Sequence, residues 1–303
     1  MAATAQAPTT DGQVPIDADL MIGAIVEVRD LAETRRFYEP IFRDRPGHWR
    51  QTGKSLTYTY GQQTIEFVQK PRPRTIPDGG FHNGYRVRPG HVEGIARELQ
   101  AAGSDVNWWR EDRPEEHGLT AYLHDPSGNI VQLVGSDDGD LLLDHAAIEV
   151  HAYDYCEHVY VKTIGGRVSY YHGWRVDDEK EAKLWGSGDD PCAPWTRRDN
   201  PGWYDLVGHK GPASEVKVPR PVTQVFIGFG KTQLGMISAS KVRQELPEEI
   251  IRGTPRLVFR TQRSPEDAFG RISAVLPLSF EHDERTAYIR DPDGNFLELR
   301  CEG

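Results

Sequence analysis

The chain has 303 residues, 37% hydrophobic and 27% charged, which describes a globular protein too long for one ordinary core and predicts two domains of similar size. A net charge of −10 excludes a general nucleic-acid binder, because phosphate binding rests on an excess of Lys and Arg. The scattered thiols Cys156, Cys192 and Cys301 form no CxxC pair, so neither a disulfide framework nor a cysteine zinc knuckle is expected.

Residues 1–19 are Ala-, Thr-, Pro- and Gln-rich without periodicity and predict a disordered tail. They lack the basic start and apolar stretch of a signal peptide, and no apolar run elsewhere is long enough to span a bilayer. The expectation is a cytoplasmic protein with no membrane partner. From Ile22 to Asp30 the sequence alternates as a half-buried strand does, and LAETRRFYEPIF from Leu31 reads as a helix. Strands follow at Leu56–Tyr60 and Thr64–Gln69. The pattern then restarts with Tyr85-Arg86-Val87, a helix from Val92 to Ala102 ending at Gly103, and the segment YLHDPSGNIVQLV from Tyr122 to Val134.

The second half repeats the first. Asp144 to Ala152 alternates as a strand, YDYCEHVYVKTIGG from Tyr153 reads as a helix, and strands follow at Thr223–Phe229 and Thr232–Ser238. Leu257–Thr261 leads to a helix near Pro265–Ile272 and to YIRDPDGNFLELR, from Tyr288 to Arg300. Each DPxGN is a tight turn: Pro presets one dihedral, Gly takes the left-handed position, and Asp and Asn bond the backbone. Two such hairpins, each closing one half, signal duplication. The fold class expected is α+β, with four tandem βαβββ units paired into two cupped mixed-sheet domains. The polar linker near Gly135–Asp140 divides an N-terminal domain, 20–136, from a C-terminal one, 141–303. A long insert at about 174–222, with Trp174, Trp185, Trp195 and Trp203, interrupts the second half and reads as a lid or as a surface excursion.

The restarting units, the Phe37-Tyr38 pair in the first helix and the Asp291–Leu299 segment DPDGNFLEL together resemble the vicinal oxygen chelate superfamily. That grouping includes glyoxalase I-like enzymes, bleomycin resistance proteins and extradiol dioxygenases. The resemblance covers nearly all of the chain outside the tail and the insert, and implies a small molecule held in each half. Its metal-ligand positions fall on His145, Gly235, Arg256 and Glu298 in the second half, and on Gly23, Glu66, His82 and Gln132 in the first. His145 and Glu298 are therefore the expected metal ligands, with Glu66, His82 and Gln132 as a weaker second site.

Arg256 carries no lone pair and cannot be a ligand; it either pairs with Glu298 or holds an anionic substrate group. In the second case His172 or His209 is available as a third ligand. The resemblance places Tyr288 and His282 as catalytic candidates, His282 having the commoner alternative of an exposed turn histidine; His117 is its counterpart. Glu149 and Glu27 lie four residues beyond the first-ligand positions and read either as substrate contacts or as ion-pair partners of Arg86 and Arg260.

Three functions stay open. The leading one is an extradiol-type dioxygenase using Fe(II), or Mn(II), on a small aromatic, catechol-like substrate. The others are a redox-neutral glyoxalase-like lyase, isomerase or epimerase, and a metal-free binding or resistance protein with no cofactor. A homo-oligomer is compatible with each.

Overall fold

The structure is a computed structural model that describes residues 16–74, 81–110, 119–150, 158–173, 222–238, 256–275, 280–291 and 294–303. The Trp-rich insert, His117, His209 and most of the expected tail lie outside the described residues, as does the side chain of His172.

Four units run along the chain. The first holds β1 (Ala18–Val28), α1 (Leu31–Phe42), β2 (His48–Thr52), β3 (Ser55–Tyr60) and β4 (Gln63–Gln69). The second holds β5 (His82–Val87), α2 (Val92–Ala101), β6 (Val106–Arg110), β7 (Leu119–His124) and β8 (Ile130–Gly135). In the third, β9 (Leu143–Val150) leads to a helical turn (His158–Thr163), then β10 (Arg167–Gly173), β11 (Val222–Phe229) and β12 (Thr232–Ser238). The fourth holds β13 (Arg256–Thr261), α3 (Pro265–Val275), β14 (Phe280–His282), β15 (Thr286–Arg290) and β16 (Phe296–Cys301). The expected α+β class and four βαβββ repeats are present.

The pairing of the units corrects the expectation that each half of the chain closes on itself. One eight-stranded sheet has the order β14-β15-β16-β13-β1-β4-β3-β2 and the other β10-β11-β12-β9-β5-β8-β7-β6. The first unit thus shares a sheet with the fourth (sheet A), and the second with the third (sheet B). The physical cause is the linker. Only seven residues separate Gly135 from Leu143, and β9 turns back antiparallel onto β5, the free edge of the second unit. The first unit is left to take the fourth, through β1 antiparallel to β13.

Alternation along the strands sends apolar side chains to the helix-covered faces and leaves polar ones on the opposite faces. Ile65, Phe67, Tyr85, Val131 and Leu133 are fully buried at 0% exposure, whereas Glu66, Gly84 and Gln132 fall between them on the other face. Helix α1 joins the two sheets: Tyr38 lies 4.5 Å from Phe67 of sheet A and 5.9 Å from Tyr85 of sheet B, ring centre to ring centre. Its N-cap is Asp30, whose carboxylate accepts from the Glu33 amide at 2.8 Å.

Buried Gln63 ties sheet A to the start of β9 with its full amide capacity. Its nitrogen donates to the Met21 and Leu143 carbonyls, and its oxygen accepts from the Leu142 and Leu143 amides.

The two DPxGN hairpins form as expected, with Gly128 and Gly294 at positive φ of 92° and 78°. Asp125 accepts from the amides of Ser127 and Asn129, and Tyr38 donates to it at 3.3 Å. Tyr160 donates to Asp291 at 3.0 Å in the same way. These tyrosines of the repeated helical segments bind the two units of each half together, although those units belong to different sheets. Burial raises the Asp125 carboxyl above its usual range, against the lowering effect of its Asn129, Ser127 and Tyr38 bonds.

The tail expected over 1–19 ends sooner. Ile16 is fully buried and its amide donates to the Thr163 carbonyl at 2.8 Å, so the chain is fixed before β1 begins. No helix among the described residues is long and apolar enough to cross a membrane.

Candidate metal centre

Two adjacent rows of residues cross the polar face of sheet B. Gln233, His145, Gly84, Gln132 and Tyr122 stand side by side on β12, β9, β5, β8 and β7; the neighbouring row holds Gly235, Ala147, His82 and Ile130. Because β5 carries no side chain at Gly84, the His145 imidazole lies across that strand toward Gln132. A Cβ on Gly84 would stand 2.3, 2.5 and 2.8 Å from three atoms of the His145 ring, which no real packing tolerates.

Three donor atoms meet there. His145 Nε2 lies 2.9 Å from Gln132 Oε1 and 3.2 Å from His82 Nε2. Gln132 donates from its Nε2 to Thr120 Oγ1 at 2.9 Å, and Thr120 in turn donates to the Leu133 carbonyl, so the amide oxygen is the atom facing the histidines. On its outer side, His145 Nδ1 stands 2.8 Å from Asp144 Oδ2. A carboxylate only accepts, which puts a proton on Nδ1 and leaves the Nε2 of the neutral ring with its lone pair inward. Two lone pairs then face one another across 2.9 Å. Either a second proton on His145 or a shared cation satisfies them.

The donor set fits a divalent cation. Ligands held at right angles about 2.1 Å from one ion stand about 3.0 Å apart, which falls between the two separations. The three side chains are buried, at 6% exposure for His82, 7% for His145 and 8% for Gln132. The surroundings are aromatic: the His82 ring meets Tyr122 edge-on at 5.3 Å, and the His145 ring meets Phe226 at 6.3 Å. Gly235, a ligand position by the sequence pattern, has no side chain to offer, and the Phe226 ring covers the space above it, 3.3 Å from where a Cβ would stand. Among the described residues no group of three His, Cys, Asp or Glu side chains converges; the third member here is an amide.

Asp144 is held by Arg86, whose Nε lies 2.7 Å from its other carboxylate oxygen. Burial pushes the Asp144 carboxyl up, but its bonds to His145 and Arg86 and the Arg86 charge outweigh this and hold it below the usual range.

Sheet A carries the same grid with different chemistry. Gly23 stands where sheet B has His145, Val258 where it has Gly84, Arg256 where it has His82, and Glu298 where it has Gln132. The exchange is complementary: the strand with room for a ring faces the ring in one sheet, and a bulky Val faces a Gly in the other. Arg256 Nε stands 2.5 Å from Glu298 Oε1, and Arg300 donates to Glu298 Oε2 at 3.0 Å. This is the ion pair offered as one of two readings of Arg256. It puts a positive charge where a dication would have to sit.

His145 and Glu298, expected together, are therefore in different sheets. His145 instead joins His82 and Gln132, two of the three residues of the expected weaker site. The third, Glu66, lies in sheet A and accepts from Ser55 at 2.7 Å. Tyr288 also lies in sheet A, opposite Glu298, and donates to Asp283 at 2.7 Å with the Arg256 guanidinium over its ring. His282 is exposed at the edge strand β14, stacked on Phe269 at 4.6 Å. It has the position of a surface histidine, away from the centre. Glu149 lies in β9 four residues beyond His145; its side chain is outside the described residues. Glu27 does form an ion pair, with Arg74 at 3.0 Å, while Arg86 pairs with Asp144 and Arg260 with Asp19. Sequence reasoning missed Gly84 and Asp144. The aspartate directly before the first-ligand histidine was the one signal that could have pointed to it.

No protein-family model matches the chain, and no curated protein matches it in sequence. Solved structures match its fold. Glyoxalase I from Zea mays superposes with a TM-score of 0.59 at 14% identity, over 93% of this chain and 92% of that one. A point mutant of the same maize enzyme gives 0.60 at 15%, over 93% of each chain. A Bacillus subtilis protein provisionally assigned as a dioxygenase gives 0.55 at 11%, over 94% of this chain and 86% of that one. These likenesses run through both sheets, as does the internal repeat, and the chain has the vicinal oxygen chelate fold in its two-sheet, four-unit form.

Proposed function

We propose that sheet B forms a divalent-metal centre held by His82, His145 and Gln132, acting as a Lewis acid on a small substrate with two adjacent oxygens. The observation that carries this reading is the convergence of two imidazole nitrogens and one amide oxygen, from three strands, within 2.9 and 3.2 Å. Imidazole and carbonyl-oxygen donors suit Fe(II), Mn(II) or Zn(II). A bound ion would polarise the oxygen pair of the substrate. The chain's own residues hold, orient and shield. Thr120 fixes the amide so that oxygen faces inward, and Asp144 fixes the His145 ring. Tyr122 and Phe226 wall the imidazoles and limit water.

The reaction class follows from charge. Two neutral rings and a neutral amide compensate none of the charge of a dication, which favours polarising an anionic or enolisable substrate without electron transfer. Non-heme iron oxygenases use two histidines and a carboxylate, whose charge supports the oxidised metal. The redox-neutral lyase, isomerase or epimerase reading therefore moves ahead of the dioxygenase. The dioxygenase remains the second reading, supported by the neighbouring pair of imidazoles. The test is to load the protein with Mn(II) or Fe(II) and offer α-hydroxycarbonyl compounds in D2O and catechols in aerated buffer. Deuterium entering the carbon next to the carbonyl without oxygen uptake is expected. Oxygen consumption with catechols, and no exchange, would reverse the order.

A further inference from the structure

We infer that Arg86 is a positioning residue for the centre, acting through Asp144 to hold the His145 ring with its inner nitrogen aimed at the metal; this rests on the reading of His145 as a ligand. Neighbouring residues of a strand ordinarily point to opposite faces, so Asp144 should not reach the ring of His145. The β5–β9 ladder explains how it does. Gly84 pairs with His145 but Tyr85 pairs with Leu143, which leaves Asp144 as the extra residue of a bulge. Bulges re-aim side chains, and this one turns the carboxylate back toward the imidazole.

A bulged carboxylate needs something to hold it, and Arg86 does so with its whole fork. Its Nε lies 2.7 Å from Asp144 Oδ1, one terminal nitrogen 3.0 Å from Asp138 Oδ2, and the other donates to the Lys231 carbonyl at 2.8 Å. Its backbone amide donates to Leu142 at 2.8 Å, closing the ladder just before the bulge. The side chain is only 10% exposed, so the geometry is fixed rather than sampled. The far end is anchored as well. Buried Arg45 donates to the carbonyls of Ser136, Asp138 and Leu141, which sets the linker carrying Asp138. The linker between the second and third units is thereby wired to one imidazole. A planar guanidinium contacting three oxygens is not replaceable by a point charge.

Arg86→Met, Arg86→Lys and Asp144→Asn variants test this by two readouts. The first is the tautomer of His145 in metal-free protein, from 15N NMR of the ring nitrogens; the second is affinity for Co(II), read from its visible spectrum. The wild type should show a proton on Nδ1 held by Asp144, whether Nε2 is bare or carries the second proton. Arg86→Met should show a mixture and bind Co(II) roughly 10–100-fold more weakly. Arg86→Lys should recover part of the loss. Should Arg86→Met fail to fold, Asp144→Asn, which can donate as well as accept, should show the same mixture. A folded Arg86→Met with unchanged tautomer and Co(II) affinity overturns the inference. If the wild type takes no Co(II), the metal reading falls, and the tautomer comparison still decides the role of Arg86.

Discussion

Gly84→Val should abolish metal binding and lower stability together. The His145 ring occupies the space above Gly84, with three ring atoms 2.3–2.8 Å from where a Cβ would stand. Neither party can yield cheaply. The ring is tethered to Asp144 on one side and meets Gln132 and His82 on the other, and β5 is hydrogen-bonded on both edges. Overpacking of this kind costs about 1–3 kcal/mol. Relief comes by swinging the imidazole away, which dismantles the donor set. Thermal unfolding and a Co(II) titration check the two parts. Gly84→Ala should show the same loss in weaker form. Full retention of metal binding by Gly84→Val would mean that His145 does not lie over β5.

Arg256→Ala should destabilise the fold while leaving metal binding intact. Glu298 is 4% exposed as a side chain and is compensated by Arg256 from one side and Arg300 from the other. Removing one partner of a buried pair costs about 3–5 kcal/mol, and the remaining Arg300 should reduce this to about 2 kcal/mol. Arg256→Met with Glu298→Leu, which removes both charges, should recover most of that loss. Denaturant unfolding of the single and double variants checks it. Sheet A offers no place for a dication while Arg256 is present, so neither variant should change the affinity of sheet B.

The elements were legible where alternation or turn chemistry is strong. The helix Leu31–Phe42, the strand Thr232–Ser238 and both DPxGN turns stand where the residues alone put them. The strands β2, β6, β10 and β14 were not individually legible. They lie at or toward sheet edges, and β2, with exposed or half-buried residues throughout, shows no apolar alternation to read. The eight positions that the resemblance marks were also legible, because repeats mark equivalent places, but Gly84 and Val258 of the same grids were not. What the residues could not reveal was the combination. Strand pairing is a long-range choice, and here the short turn between Gly135 and Leu143 decides it by delivering β9 to β5. His145 was therefore grouped with Glu298 and Arg256 when its neighbours are His82 and Gln132. Gly84 and Asp144 escaped for a related reason: a glycine that admits a ring from the next strand, and an aspartate re-aimed by a bulge, acquire meaning only once β5 and β9 are adjacent.

In the proposed reading the metal centre belongs to sheet B and is assembled across the two halves of the chain. Titrating wild type, His145→Ala, His82→Ala and Glu298→Ala with Co(II), with circular dichroism to confirm folding, tests it most directly. Wild type and Glu298→Ala should bind stoichiometrically, and both histidine variants should lose binding. Binding that survives His82→Ala but disappears in Glu298→Ala would place the ion in sheet A and rule out a centre in sheet B.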